Sequence, residues 1–388
     1  MGDRPEVELF FDVVCPYAWI AAERLMRMEA AGELVIRWRP MLLGGVLRAV
    51  GQADRPMDAM APAKVAHIQA DLDRQASALG LSIRYPPDHP RRTVNAMRAL
   101  VAVDPARLPD LARVLWRAYW TEGAQIAHQD VLERLIAPFG LTWDDVEGAR
   151  DGLFANTTEA VDRGVFGAPG MFAGGRLFWG SDRVIAVRHA LGLPLPPLEP
   201  TGPLEVFHDF SSPYSYLGTV PLLGRPDVTL RPMLLGALFQ TLGTPVVPIA
   251  SFGEARRAWT LRDVEQQAEM RGLPFRFSPV FPLRSVLPLR VALQEPAATG
   301  PIYAATWADG LDTGHPDVLR EVLDSAGLAG LDLVAGADDP AVKARLRENT
   351  ERAVSVGVPG APSYLHALGL FWGQDRLPLI AELEGLQA

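Results

Sequence analysis

Asp12-Val-Val-Cys-Pro-Tyr-Ala-Trp19 decides how this chain is read, because it returns as Asp209-Phe-Ser-Ser-Pro-Tyr-Ser-Tyr216. An apolar run precedes each copy, Val7–Phe11 in one and Leu204–Phe207 in the other. A helix-compatible segment follows each. The expected local structure is strand, tight turn, helix start. Proline suits the first helical turn, where its missing N–H is no loss. The side chain before it, Cys15 or Ser212, then faces unpaired N–H groups at the positive end of a helix dipole. That position favours a thiolate, whether the protein's own or a ligand's.

Outward from this stretch the repetition continues. Arg39-Pro-Met-Leu-Leu-Gly44 recurs unchanged as Arg231–Gly236, and Gly167-Ala-Pro169 as Gly360–Pro362. Phe178-Trp-Gly-Ser-Asp-Arg183 recurs as Phe371-Trp-Gly-Gln-Asp-Arg376. Motifs in one order, twice, mean two homologous domains, and the period is far too long for a solenoid. Between the copies, Leu193–Pro203 is proline-dense and lacks helical or strand periodicity, so it reads as a semi-rigid connector. The expected domains are 1–192 (with Cys15) and 204–388 (with Ser212), joined by 193–203. Each half predicts strand–helix–strand, a helical insertion, then strand–strand–helix. This is an α/β fold with a small mixed sheet.

Composition narrows the function. A chain of 388 residues exceeds one ordinary core. The formal net charge is -9 and no dense basic patch occurs, so nucleic acid and anionic membrane are poor partners. No signal-peptide pattern or ~20-residue apolar run is read. With one cysteine no intrachain disulfide can form, which fits a cytoplasmic location. No zinc-like spacing or glycine-rich phosphate loop is found.

The four motifs, Asp-x-x-Ser/Cys-Pro-Tyr, Arg-Pro-x-Leu-Leu-Gly, Gly-x-Pro and Phe-Trp-Gly-x-Asp-Arg, resemble the DsbA-like thioredoxin-fold branch. That branch holds kappa-class glutathione transferases and 2-hydroxychromene-2-carboxylate isomerases. The resemblance implies two tandem thioredoxin-like domains and glutathione, or another low-molecular-weight thiol, as cofactor. It implies that Ser212, and Cys15 in the other copy, bond to the thiol sulfur. It places cis prolines at Pro169 and Pro362, with Ala168 and Ala361 pairing their backbone with the thiol ligand. The γ-glutamyl end falls to Ser181 and Asp182, and to Gln374 and Asp375. A family lysine early in the helical insertion maps to Lys64, with Arg256 its counterpart. Tyr17, Tyr214 and Asn95 are the expected substrate contacts. A small-molecule substrate, aromatic or conjugated, is implied. Family relatives are often homodimers, so the two halves are expected to form an intramolecular pseudo-dimer.

Each residue also has a plainer reading. Ser212 taken alone reads as an ordinary N-cap serine, and the companion motifs turn that reading toward sulfur binding. Cys15 has Ala18 where a resolving cysteine would stand, so no dithiol cycle runs through this motif. It is a monothiol nucleophile, a stand-in for serine, or an inert core residue. Tyr17 and Tyr214 pack on the helical insertion or line a pocket mouth. Leu287 replaces Asn95 in the second half. Trp116, Tyr119 and Trp120 read as a core stripe, and His128 and His315 as helix starts without a catalytic role. Ser212 with His208 lacks a nucleophile-elbow pattern. Three functions therefore stand: a thiol-dependent isomerase or transferase, a monothiol oxidoreductase using Cys15, and a non-catalytic binding or scaffold module.

Overall fold

The computed structural model describes residues 4–53, 57 and 60–387. The first half runs β1 (Glu6–Phe11), α1 (Pro16–Ala30), β2 (Val35–Pro40), α2 (Leu43–Ala49) and α3 (Pro62–Ala78). It continues through α4 (Val94–Ala102), α5 (Leu108–Trp116), α6 (Gln129–Ile136), α7 (Trp143–Gly148) and α8 (Arg150–Asp162). It closes with β3 (Gly170–Ala173), β4 (Arg176–Trp179) and α9 (Val184–Ala190). The second half repeats the plan: β5 (Leu204–His208), α10 (Pro213–Thr219), β6 (Val228–Pro232), α11 (Leu235–Thr241) and α12 (Glu254–Met270). Then come α13 (Val286–Gln294), α14 (Thr299–Trp307), α15 (Pro316–Ser325), α16 (Gly330–Gly336) and α17 (Pro340–Ser355). The last elements are β7 (Ser363–His366), β8 (Gly369–Trp372) and α18 (Leu377–Gln387). No helix or strand falls within 193–203.

Each half builds one four-stranded mixed sheet, in the order β2-β1-β3-β4 and β6-β5-β7-β8. The first strand is central, parallel to the second and antiparallel to the third. Its residues are buried on both faces, as an interior strand requires: Val7, Leu9, Phe10 and Phe11 are wholly covered. The parallel link β1–α1–β2 is the usual crossover, because a parallel neighbour cannot be reached by a tight turn. Pro16 and Pro213 open α1 and α10, as their fixed φ favours.

The contact-defined compact units do not follow the halves of the chain. Unit one comprises Met1–Met60, Gln69–Leu195 and Gly253–Trp259. Unit two comprises Ala61–Ile68, Pro196–Phe252 and Thr260–Ala388. The start of α3 thus belongs to the unit built on β5, and the start of α12 to the unit built on β1. Among the described residues no helix is long and apolar enough to cross a membrane.

Candidate functional site

The two turns are fixed before any ligand is considered. Asp12, 1 % exposed, accepts from Val14 N through one oxygen and Leu43 N through the other. Asp209, fully buried, does the same with Ser211 N and Leu235 N. The hydroxyls of Thr93 and Ser285 also face these carboxyls. Burial raises both pKa values while the hydrogen bonds oppose the rise. Each aspartate therefore ties the turn to the start of the next helix. Sequence reasoning gave it no role, although its recurrence in both copies was the available signal. Trp120 and Trp307 add a second tie, donating from Nε1 to Val13 O and Phe210 O at 2.8 Å. The aromatic stripe is buried as expected, and its last tryptophan also holds the turn.

Opposite each turn lies a cis proline. Both Ala168–Pro169 and Ala361–Pro362 are cis, as the resemblance implied, and so are His89–Pro90 and Phe281–Pro282, which nothing in the motifs announced. Cys15 Sγ donates to Ala168 O at 3.2 Å. Ser212 Oγ donates to Ala361 O at 3.0 Å and accepts from Ser215 N at 3.2 Å. Turn and cis-proline loop thus face each other in both copies. The loop before the last helix joins them, since Gly180 N donates to Pro169 O and Gly373 N to Pro362 O. Both glycines hold φ near 106°, open essentially to glycine alone, and an added Cβ would strike Asp182 or Asp375 at 2.5 Å.

The two copies then part. Cys15 and Ser212 are each 7 % exposed, so accessibility does not separate them; chemistry does. Burial pushes the Cys15 thiol up to about 12, and the N–H groups of Ala18 and Tyr17 only partly oppose it. This corrects the expectation that the helix start would favour the protein's own thiolate. Here desolvation of the charge outweighs the dipole, and Cys15 is a neutral thiol at pH 7. Ser212 carries a hydroxyl that can turn from Ala361 O toward an incoming sulfur. A helix-start N–H and a hydroxyl donor form a donor set that fits a thiolate.

The γ-glutamyl candidates differ as well. Ser181 Oγ donates to Gln75 Oε1, and Gln75 Nε2 to Asp71 Oδ2, closing a buried network that sequence reading missed. Gln374, 1 % exposed, has no side-chain hydrogen-bond partner at either amide atom, although its carbonyl accepts from Arg271. Asp182 and Asp375 each pair with the following arginine, Arg183 and Arg376. Tyr17 and Tyr214 are half-buried, and Tyr214 OH donates to the buried Asp263 at 3.4 Å. Asn95 lies on the first turn of α4 and accepts from Arg98. Lys64 Nζ lies 5.1 Å from the Trp372 ring centroid, within unit two. Arg256 lies 5.4 Å from that of Trp179, within unit one. Among the described residues no group of His, Cys, Asp and Glu is arranged to hold a metal.

The family described as the DSBA-like thioredoxin domain matches residues 6–192 and again 203–383. Human glutathione S-transferase kappa 1 is 29 % identical over 223 residues, covering 51 % of this chain and 97 % of that protein. The 2-hydroxychromene-2-carboxylate isomerase of Pseudomonas putida is 27 % identical over 194 residues, covering 48 % and 94 %. A solved 2-hydroxychromene-2-carboxylate isomerase structure shares 24 % identity at a TM-score of 0.43, covering 48 % of this chain and 94 % of that one.

Proposed function

The chain belongs to the DSBA-like thioredoxin domain family, twice over, and from that premise we propose that it is a thiol-dependent isomerase or transferase working at the Ser212 turn. Glutathione is the favoured thiol, and the favoured reaction is isomerisation of an aromatic or conjugated small molecule, as the name of the Pseudomonas putida relative suggests. The observation that carries this is Ser212 Oγ, held 3.0 Å from Ala361 O at the start of α10. A bound thiol would supply a reversible nucleophile for a conjugated double bond, with no net oxidation. The chain's part is to hold the sulfur as its anion, through the Ser212 hydroxyl and the α10 dipole, and to orient it. Monothiol redox chemistry at Cys15 is disfavoured, because the nucleophile there would be the thiolate and burial suppresses it.

Titration calorimetry with glutathione tests the proposal. Wild-type protein is expected to bind, and Ser212→Ala to bind at least about tenfold more weakly, since a charge-assisted hydrogen bond contributes roughly 1.5–3 kcal/mol. Absence of binding to glutathione and to other low-molecular-weight thiols would overturn it.

A further inference from the structure

We infer that Tyr85 gives the Cys15 copy a ligand preference that the Ser212 copy lacks, for a small aromatic molecule bearing a hydroxyl group. The inference concerns unit one and goes beyond the thiol-binding reading, on which it does not rest. It comes from one segment of each helical insertion: 79–93 between α3 and α4, and 271–285 between α12 and α13.

Both segments are held in the same way. Arg84 N donates to Trp120 O at 2.7 Å, and Arg276 N to Trp307 O at 2.6 Å. Each segment then passes a cis proline, Pro90 or Pro282. The two tryptophans are wholly buried and bond to the turns at Val13 O and Phe210 O. The residue after each arginine is thereby laid against the tryptophan that holds its turn. Tyr85 meets Trp120 edge-on at 5.3 Å, and Phe277 meets Trp307 edge-on at 5.9 Å. In unit two this wall is built of phenylalanine: Phe281 stands 5.2 Å from Phe277, and Phe275 stacks on Trp307 at 6.0 Å.

In unit one the equivalent positions are Ile83, Tyr85 and His89. His89 meets Tyr85 edge-on at 5.4 Å, and its Nδ1 meets Tyr119 OH at 2.9 Å. Tyr119 OH also accepts from Arg91 N, so that hydroxyl is satisfied within the protein. Tyr85 is half-buried, and its hydroxyl has no hydrogen-bond partner among the described residues. Burial raises its pKa, and proximity to Cys15 and Asp73 adds to the rise, which keeps the phenol protonated. A protonated phenol both donates and accepts. A ligand hydroxyl can therefore bond to it while the neighbouring rings cover the ligand's aromatic body. Phenylalanine at the same place offers the cover without the bond, so one oxygen separates the preferences of the two copies.

Methionine-methyl NMR on the full chain tests this. Met97 is buried and its sulfur accepts from Val13 N at 3.4 Å, so its methyl reports on the Cys15 turn. The probes are p-cyanophenol and benzonitrile, which differ by one hydroxyl. Wild-type protein is expected to bind p-cyanophenol roughly fivefold more tightly, with a saturable shift of the Met97 methyl. Tyr85→Phe, which installs the residue of the other copy, should bind the two probes equally. Equal affinity for both probes in the wild type, a preference that survives Tyr85→Phe, or the lack of a saturable shift at Met97 overturns the inference. None of these outcomes bears on glutathione binding at Ser212, which its own titration decides.

Discussion

The turn at Cys15 and the turn at Ser212 share a backbone and differ in what lies behind it. Behind Cys15 the helix carries Ala18 and Ala22, and the strand end Phe11 packs on Trp116 at 5.3 Å. The equivalent residues behind Ser212 are Ser215, Thr219, His208 and Tyr303, all essentially buried. His208 Nδ1 meets Tyr303 OH at 2.9 Å, and that hydroxyl also faces Thr219 and Ser215. One copy is backed by apolar side chains and the other by buried polar ones. The duplication thus kept the geometry of turn and cis-proline loop in both copies and a buried polar backing in one.

Exchanging the two small side chains is the most direct way to break this contrast. Ser212→Cys puts the thiol of the first turn into the second, and turnover with a thiol cofactor is expected to fall about 10²-fold, the usual cost of losing one donor to a developing anion. Cys15→Ser puts a hydroxyl against Ala168 O, where the backing remains apolar, and calorimetry should still find one strong thiol site per chain. Two equal sites in Cys15→Ser would show that the polar backing is irrelevant.

A smaller effect is expected at Gly218, where the first copy has Ala21. A Cβ on Gly218 would stand 2.1 Å from Tyr364 Oη and 2.9 Å from Gln374 Cβ. Tyr364 OH donates to Gly218 O, whereas Met171 is the equivalent residue in the first sheet. Gly218→Ala should therefore destabilise by about 1–3 kcal/mol in chemical denaturation, despite the better helix propensity of alanine. Adding Tyr364→Phe should recover part of the loss.

The smallest contrast lies in acid stability. Burial depresses the His208 pKa to about 3 from an ordinary 6.5. Between those values the unfolded chain takes up a proton that the folded chain refuses, so stability falls as the pH drops through that window. Asp12 and Asp209, raised by burial, act in the opposite sense, but both remain in the variant that isolates His208. His208→Phe with Tyr303→Trp installs the pair of the first copy. Its unfolding free energy should depend less on pH between about 6.5 and 3 than that of the wild type. An unchanged acid limb would place the sensitivity elsewhere.

Much of this architecture is legible in the residues. The repeated Asp-x-x-Cys/Ser-Pro-Tyr and Gly-Ala-Pro segments mark strand ends and helix starts because their constraints are local, since proline fixes φ and glycine frees it, whereas the cis bonds at Pro169 and Pro362 came from the family resemblance. The hairpin within Met171–Phe178 and both long insertion helices follow from the same kind of signal. Three things were hidden. The helical periodicity of α3 shows that Lys64 and His67 are close in space, but not which sheet they pack on. The pairing of His208 with Tyr303 joins residues 95 apart, and a histidine at a strand end carries no mark of its partner. Whether Cys15 is a thiolate depends on a balance between burial and dipole that only the packed structure settles.

The composition of the compact units bears on how such a chain can diversify. Because Ala61–Ile68 and Gly253–Trp259 each belong to the unit that their own half does not build, cutting the chain at 193–203 would divide each unit between the two fragments. In a symmetric homodimer both copies must keep every function. Here covalent linkage guarantees that each serine copy is always matched with one cysteine copy.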